Sequence, residues 1–244
     1  MRNIKLTIQY DGTNYHGWQT QSNAPSIQEL IEDKLSTIVN HKVTLYGSGR
    51  TDAGVHAVGQ VANFQTSSKL KPDVIKRALN SMLPQDIVVR NSEEVDGKFH
   101  ARYRARSRVY QYLIWNDRIP SPFFRKFSWF VASRLDLEKM QEAGSLLIGR
   151  HDFSSFQGAD RMETRAVRDM VRLDIKKIGQ LSVVTVEANS FLKHMVRNIV
   201  GTLVEVGKGK MNLAGFKKLI EAKDRTKAGL AAPAHGLFLR EVKY

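Results

Sequence analysis

The sequence predicts an α+β protein made of two domains. Its 244 residues are enough for one large domain or two small ones, and either could bury a substantial core. Apolar residues make up 42% of the chain and charged residues 25%, which is typical of globular proteins. In each half, segments with strand periodicity alternate with about two amphipathic helices. This pattern favours two α/β or α+β units that share a cleft.

The first half opens with a strand over about residues 3–11, in which apolar and polar residues alternate. After a turn-rich loop, Ser26 and Glu29 form a capping box for a helix whose apolar residues recur every three or four positions. Pro72 begins a second helix, which we expect to end at Met82. The other predicted strands of this half cover residues 42–47, 60–66 and 86–91.

The second half repeats this alternation of strands and helices. Its predicted strands cover residues 107–115, 167–178, 181–189 and 236–244, the middle two forming a hairpin. Its predicted helices cover residues 136–149, 191–207 and 213–222. Arginine alternates with other residues around Tyr103, and we place the domain boundary there. The expected domains are residues 1–104 and 105–244.

The charge of the chain points to a polyanionic partner. There are 38 Lys and Arg residues against 24 Asp and Glu, a net charge of +14, which favours nucleic acid first and an anionic membrane second. The absence of cysteine excludes disulfides, thiolate catalysis and Cys-ligated zinc. No apolar run approaches the ~20 residues that span a bilayer, and the N-terminus does not resemble a signal peptide. We therefore expect a cytoplasmic protein with no membrane partner.

The stretch YGSGRTDAGVHA, residues 46–57, places the carboxylate of Asp52 beside Arg50 in a glycine-flanked loop. A dinucleotide fingerprint needs a glycine where Asp52 stands, and a P-loop needs Gly-Lys-Ser/Thr, so neither motif fits. One interpretation is an Asx turn with Arg50 as a surface charge. The other is a loop whose glycines let backbone approach a ligand closely while Asp52 acts on it. We expect His56 to be a structural hydrogen-bonding residue rather than a base.

An arginine- and tyrosine-rich segment, residues 100–112, indicates nucleic-acid binding. Guanidinium groups bind phosphates bidentately, and aromatic rings stack on unpaired bases. The alternative is a solvated basic edge strand with half-buried tyrosines, but this density of arginine favours RNA or DNA. The residues concerned are Arg102, Arg104, Arg106 and Arg108, with Tyr103, Tyr110 and Tyr112.

Two further cations lie in the predicted helix over residues 191–207. Lys193 and Arg197 are four residues apart, on a face beside the apolar stripe. Either both are surface charges, which the sequence alone favours, or Arg197 enters a polar cleft and meets a carboxylate. The seven histidines show no HxxxH or HExxH spacing, so we expect no metal site.

Together these motifs resemble the tRNA pseudouridine synthase A family. GSGRTDAGVHA is similar to the family's signature, and the likeness extends over essentially the whole chain. The other matching segments are YDGTNYHGWQTQ, FHARYRARSRVYQY, FLKHMVRNIVGTL and GLFLREVKY. The resemblance implies the pseudouridine synthase fold, in which two similar α+β domains join their antiparallel sheets into a central sheet flanked by helices. It also implies a basic active-site cleft between the domains.

The resemblance implies a homodimer that takes the anticodon arm of tRNA. The implied reaction is isomerisation of uridine to pseudouridine at positions 38 to 40, without a metal or cofactor. By the same resemblance Asp52 is the nucleophile, Tyr110 stacks on the target uracil, Arg197 pairs with Asp52, and Arg50 helps to extract the base. The further residues expected to bind the substrate are Arg102, Arg104, Arg106 and Lys193.

Two other functions would fit part of the sequence. A non-catalytic RNA-binding protein would explain the charge and the tyrosines but would leave Asp52 without a purpose. A nucleoside hydrolase or glycosylase would also use a carboxylate, but it would need an activated water and would release free base.

Overall fold

A computed structural model describes residues 1–21, 24–158 and 165–244. Contacts between Cα atoms divide the chain into two compact units. The first unit comprises Met1–Arg106 and Phe238–Tyr244, and the second comprises Ser107–Leu237. The predicted boundary groups the C-terminal strand with the second domain. In the structure this strand lies with the first unit because its Phe238 and Leu239 pair with a strand there.

The first unit contains a five-stranded mixed sheet. Its strands are β1 (Arg2–Tyr10), β2 (Tyr46–Gly47), β3 (His56–Thr66), β4 (Ile87–Val95) and β10 (Leu237–Lys243). The order is β4-β1-β3-β10, with β2 also paired to β3. Strand β10 runs parallel to β3, whereas the β1–β3, β1–β4 and β2–β3 pairs are antiparallel. The predicted strand over residues 42–47 is much too long, since only its last two residues pair.

Two helices accompany this sheet. Helix α1 spans Ile27–Val39, and the Ser26 hydroxyl oxygen accepts a hydrogen bond from the Glu29 N–H at its start. Helix α2 spans Pro72–Met82, the bounds that the sequence predicts, because a proline in the first turn already has a helical φ. Both helices bury one apolar face, and α2 packs on β4 and contacts α1.

The second unit contributes five further strands. Its strands are β5 (Ser107–Asn116), β6 (Trp129–Val131), β7 (Gly149–Asp152), β8 (Val167–Ile178) and β9 (Leu181–Ala188). The order is β5-β9-β8-β7, all antiparallel, and β6 pairs in parallel with β5. The predicted hairpin of β8 and β9 is confirmed. The short strands β6 and β7 carry too little periodicity to be predicted.

The helices of the second unit are α3 (Leu137–Ser145), α4 (Met195–Gly207) and α5 (Leu213–Ala222). The predicted start of α4 at residue 191 is wrong by four residues. His194 has a left-handed backbone, with φ of 60°, and the Lys193 carbonyl accepts a hydrogen bond from the Gly158 N–H. The helix therefore cannot begin before Met195. The prediction that Lys193 and Arg197 share a helix face is wrong, because Lys193 lies outside the helix.

Each unit therefore combines a sheet with helices, and the predicted α+β class is confirmed. The core of the second unit is dense in large side chains, with Phe153, Phe156 and Phe216 fully buried and Phe156 in ring contact with the other two. In the described part of the chain, none of the helices has the length and apolarity that crossing a membrane requires.

Candidate active-site residues and their supports

Asp52 lies in the loop between β2 and β3, residues 48–55, which we call the Asp52 loop. Its side chain is partly exposed, while Arg50 is exposed and Thr51 is buried. The Asp52 carbonyl accepts a hydrogen bond from the Val55 N–H at 3.1 Å, which closes a tight backbone turn over residues 52–55. The loop thus presents an acid and a cation of opposite charge within three residues.

The start of the Asp52 loop is tied to strand β3. The Ser48 N–H donates to the Val61 carbonyl at 2.7 Å, and the Ser48 hydroxyl donates to Gln60 Oε1 at 2.7 Å. The Gln60 Nε2 group in turn donates to the Gly49 carbonyl at 2.9 Å. Gln60 is fully buried, so its amide binds the loop out of competition with water.

The tip of the loop is held by residues 10–18, which we call the N-terminal brace. The Trp18 N–H donates to the Thr51 carbonyl at 3.1 Å, and the Gly54 N–H donates to the Tyr15 carbonyl at 3.2 Å. The Tyr10 and Thr51 hydroxyls form a buried hydrogen bond of 2.8 Å. Backbone and side-chain bonds on both sides of Asp52 therefore fix its position.

Gly17 lets the brace come this close. Its φ is +93°, a conformation that L side chains rarely adopt. A Cβ atom at this position would also lie 2.4 Å from the Thr51 carbonyl oxygen. Only glycine satisfies both the angle and the contact without movement of the Asp52 loop.

His56 completes the support of the loop. Its ring is buried, stacks on Phe238 with 4.7 Å between centroids, and its Nδ1 accepts a hydrogen bond from the Gly12 N–H at 3.0 Å. Asp11 Oδ1 lies 3.1 Å from the same nitrogen. Because a backbone N–H can only donate, we assign Nδ1 as an acceptor and not as the donor of an ion pair. The buried ring and its hydrogen bond support the prediction that His56 is structural.

In the second unit, Tyr110 lies on β5 opposite Val186. Tyr110 is only 9% exposed, and its ring lies nearly perpendicular to that of Phe191, with 5.1 Å between the centroids. Tyr112, on the same strand face as predicted, is fully buried and donates its hydroxyl to the Pro233 carbonyl at 2.7 Å. Burial raises the pKa of Tyr112, outweighing the opposing effect of the Arg197 charge. Tyr112 is therefore a core residue.

Arg197 lies in the first turn of α4 and is partly exposed. Its Nε donates to the Ala232 carbonyl at 2.7 Å, and the Ala232 N–H donates to the Arg197 carbonyl at 3.0 Å. The first of these bonds sets the direction of the guanidinium, and the second ties the backbone of the same two residues together. This is an oriented side chain rather than a mobile surface charge.

Ala232 belongs to residues 225–232, which we call the C-terminal brace. Arg225 anchors this segment by donating to Asn198 Oδ1 at 3.0 Å and to the Gly229 carbonyl at 3.1 Å. The brace lies so close to α4 that a Cβ on Gly201 would be 1.8 Å from the Leu230 carbonyl oxygen. Sequence reasoning missed this support. Its only signals were a lone asparagine and a glycine on the buried face of α4.

The arginine-rich segment does not form an edge strand over its whole length. Arg102 and Arg104 lie in an exposed turn ahead of β5, and exposed Arg106 donates its N–H to the Lys243 carbonyl at 2.8 Å. Lys193 is also exposed, in the segment that precedes α4. No acidic residue occurs between Asp96 and Asp117, so the turn is uniformly basic.

Among the residues that the structure describes, no three His, Cys, Asp or Glu side chains converge as metal ligands would. Asp52 and Arg50 share one loop, and Arg102, Arg104 and Arg106 share one turn with its continuation. Tyr110 and Arg197 are each held by contacts within the second unit.

Comparison with known proteins identifies the family. The family model described as tRNA pseudouridine synthase matches residues 6–104 and 143–244. The tRNA pseudouridine synthase A of Acetivibrio thermocellus is 47% identical over 244 residues. Proteins of the same name from Ruminiclostridium cellulolyticum and Thermoanaerobacter pseudethanolicus are 46% and 44% identical. In all three cases the match covers 100% of both chains.

The matched residues include the Asp52 loop, its N-terminal brace and the first turn of α4, whereas Tyr110 falls between the two stretches that the family model covers. The full-length relatives span Tyr110 as well. With both comparisons extending across the two units, the chain belongs to the tRNA pseudouridine synthase family.

Proposed function

We propose that this protein isomerises uridine to pseudouridine at positions 38, 39 and 40 in the anticodon stem-loop of tRNA. The observation that carries the proposal is a single acid, Asp52, held rigidly in the signature loop of a chain with a net charge of +14. A carboxylate amid phosphate-binding charge weakens RNA binding. We therefore infer that the Asp52 carboxylate serves the reaction rather than RNA binding.

The reaction needs one nucleophile and no co-reactant. The N-glycosidic bond of the uridine breaks, the uracil turns, and a C–C bond forms from C5 to the sugar C1′ with release of the C5 proton. The Asp52 carboxylate can attack C1′ or C6, or remove the proton at C2′. Each route returns the carboxylate at the end, and each requires that water be kept from the intermediate.

Tyr110, Arg197 and Arg50 have distinct roles in this proposal. Tyr110 offers an aromatic face to the detached uracil while it turns. Arg197 supplies the positive charge that pairs with the Asp52 carboxylate. Arg50 contacts phosphate and fills the gap left by the flipped nucleotide, whose unstacking costs about a few kcal/mol. The family match and the oriented Arg197 guanidinium support these assignments.

Binding is proposed to depend on the exposed cations. Arg102, Arg104, Arg106 and Lys193 neutralise phosphates of the anticodon arm, and each phosphate neutralised releases counterions. We further propose that the enzyme is a cytoplasmic homodimer that works without a metal or cofactor. Light scattering of the purified protein tests the dimer, and unchanged activity in a chelator tests the independence from metal.

The decisive experiment uses tRNA labelled with tritium at C5 of uridine. Wild-type enzyme should release tritium, and Asp52→Asn should release none, since the amide lacks the charge and the electron pair. The variant should still fold and should bind tRNA at least as tightly, because it has lost a negative charge. Asp33→Asn, on the exposed surface of α1, removes the same charge and should keep full activity.

The outcomes separate this function from its rivals. A hydrolase or glycosylase would release free uracil that still carries the tritium label. A binding protein would release neither uracil nor tritium. Asn can make the same turn as Asp, so tritium release by a folded Asp52→Asn variant would mean that Asp52 serves only the backbone.

A further inference from the structure

A row of three aromatic rings lies on the surface of the first unit. Tyr103 is 76% exposed, and its ring lies 4.4 Å from that of His100, between centroids. His100 in turn lies 5.1 Å from the ring of Tyr46, which is 45% exposed. Exposing several aromatic rings to water is unfavourable and adds nothing to the hydrophobic core. A cluster of exposed rings therefore suggests a surface that binds a ligand.

Two of the three rings, those of His100 and Tyr103, belong to a turn over residues 96–104, which we call the Tyr103 turn. The Asn63 side chain, 3% exposed, accepts from the Ala101 N–H at 2.8 Å and donates to Asn3 Oδ1 at 3.0 Å. Asn3 then donates to the Asp96 and Phe99 carbonyls at 3.0 and 2.9 Å.

The C-terminal residue adds a further bond to the same turn. The Tyr244 hydroxyl donates to the Ala101 carbonyl at 2.9 Å, and its ring packs on Phe99. Buried amides on one side and Tyr244 on the other thus fix the backbone that carries Tyr103. A preorganised ring loses little entropy when a ligand covers it.

Positive charge surrounds the exposed ring. The Arg102 guanidinium lies 5.8 Å from the centroid of Tyr103, and Arg104 and Arg106 follow as exposed cations. An aromatic face beside guanidinium groups matches a nucleotide whose base is unpaired, since the base can stack while its phosphate is contacted. A paired base inside a stem could not offer its face in this way.

We propose that Tyr103, backed by His100 and Tyr46, stacks an unpaired nucleotide of the bound tRNA other than the target uridine. The inference rests on the proposed function for the identity of the RNA. It singles out Tyr103 as a stacking residue within a segment whose arginines and tyrosines the sequence assigns to nucleic-acid binding as a group. The tilt of 41° between the His100 and Tyr103 rings leaves no parallel slot between them, so the base covers the outer face of Tyr103.

The test compares Tyr103→Ala with Tyr103→Phe, which keeps the ring. One stacked base is worth roughly a 5- to 150-fold change in affinity, so Tyr103→Ala should weaken tRNA binding by that factor while Tyr103→Phe binds normally. The slope of log Kd against log salt should not change for Tyr103→Ala, because no charge is lost. Arg104→Ala should instead reduce that slope by about 0.7–0.9.

Tritium release at enzyme concentrations below the Kd should fall for Tyr103→Ala by about the same factor as its tRNA affinity, because the contact serves binding. Wild-type affinity in Tyr103→Ala overturns the proposal, as does a changed oligomeric state in light scattering, which would make the row of rings a protein contact. Failure of the proposed function is a separate result, because it would appear as absence of tritium release from the wild type itself.

Discussion

Asp52 and Arg197 are both held by a second stretch of chain, but in different ways. Asp52 sits in a loop, and its position depends on hydrogen bonds that the N-terminal brace makes to Thr51 and Gly54. Arg197 sits on a helix whose apolar face is buried, and the C-terminal brace only orients its side chain through Ala232. Asp52 is therefore positioned by a network of hydrogen bonds. Arg197 is positioned by the packing of its helix, and one side-chain hydrogen bond orients its guanidinium.

The difference predicts how each region fails. A disturbed polar loop can shift by a fraction of an ångström while the hydrophobic core stays intact, so turnover is lost before stability. A disturbed helix in a packed core has no such freedom, because protein interiors have few voids. Damage there should lower the free energy of unfolding together with turnover.

Among the variants that test this comparison, the largest effect is expected for Arg197→Met, which keeps the length and packing of the side chain but removes its charge. Removing one oriented electrostatic partner at a reacting centre typically lowers kcat by about 10²–10³-fold. Single-turnover tritium release measures it, with Lys218→Met on the exposed face of α5 as a control for the loss of one positive charge. Near-normal turnover of Arg197→Met would contradict the proposed role and would indicate that Arg197 is a surface charge.

A somewhat smaller effect is expected for Gly17→Ala. The new Cβ would force the N-terminal brace away from Thr51, and a misplacement of about 1 Å can cost about 100-fold in rate. The melting temperature should fall only slightly. Gly97→Ala is the matched control, since a Cβ there meets nothing within 4 Å. A large fall in the melting temperature of Gly17→Ala together with its activity would contradict this prediction. It would mean that the Asp52 loop contributes to folding stability as a core element does.

Gly201→Ala should behave in the opposite way. A methyl group 1.8 Å from the Leu230 carbonyl oxygen must push α4 and the C-terminal brace apart, and overpacking of this kind costs about 1–3 kcal/mol. Chemical denaturation should show the loss of stability, with a fall in turnover of about ten-fold or less. A variant as stable as the wild type but inactive would contradict the distinction between the two regions.

The smallest effect is expected for Thr51→Val, which removes the hydroxyl that bonds Tyr10 while keeping the shape of the side chain. One hydrogen bond contributes about 0.5–1.5 kcal/mol, and the backbone bonds of the N-terminal brace remain. Turnover should fall only a few-fold. Thr37→Val, whose hydroxyl bonds its own helix at Asp33, is the control. A loss as large as that of Gly17→Ala would show that the side-chain bond dominates the support.

Local signals were sufficient where an element's bounds are set by its own residues. Helix α2 begins at Pro72 and helix α5 follows Asn212, whose side chain caps it, and both helices have their predicted bounds. Strand β8 also has its predicted bounds, since alternation continues to the turn before β9. The α+β class follows from these elements, because each must bury one apolar face against another.

Prediction failed where distant contacts act on the backbone. Residues 191–194 continue the helical periodicity of α4, yet the bond from Gly158 to the Lys193 carbonyl and the left-handed His194 prevent a helix there. Residues 42–45 alternate as a strand should, but they lack the ladder that Tyr46 and Gly47 make with β3. Periodicity reports which face is apolar, and it cannot report which partner is within reach.

The sequence by itself determined the α+β class, the basic character and the Asp52 signature, because composition, periodicity and a rare motif are properties of the residues alone. Only the tertiary structure decided how Asp52 and Arg197 are supported and that Tyr46, His100 and Tyr103 form one row. Those contacts join residues far apart in the chain. Their geometry depends on close approaches at glycine and on buried amide bonds, for which no local pattern in the sequence is diagnostic.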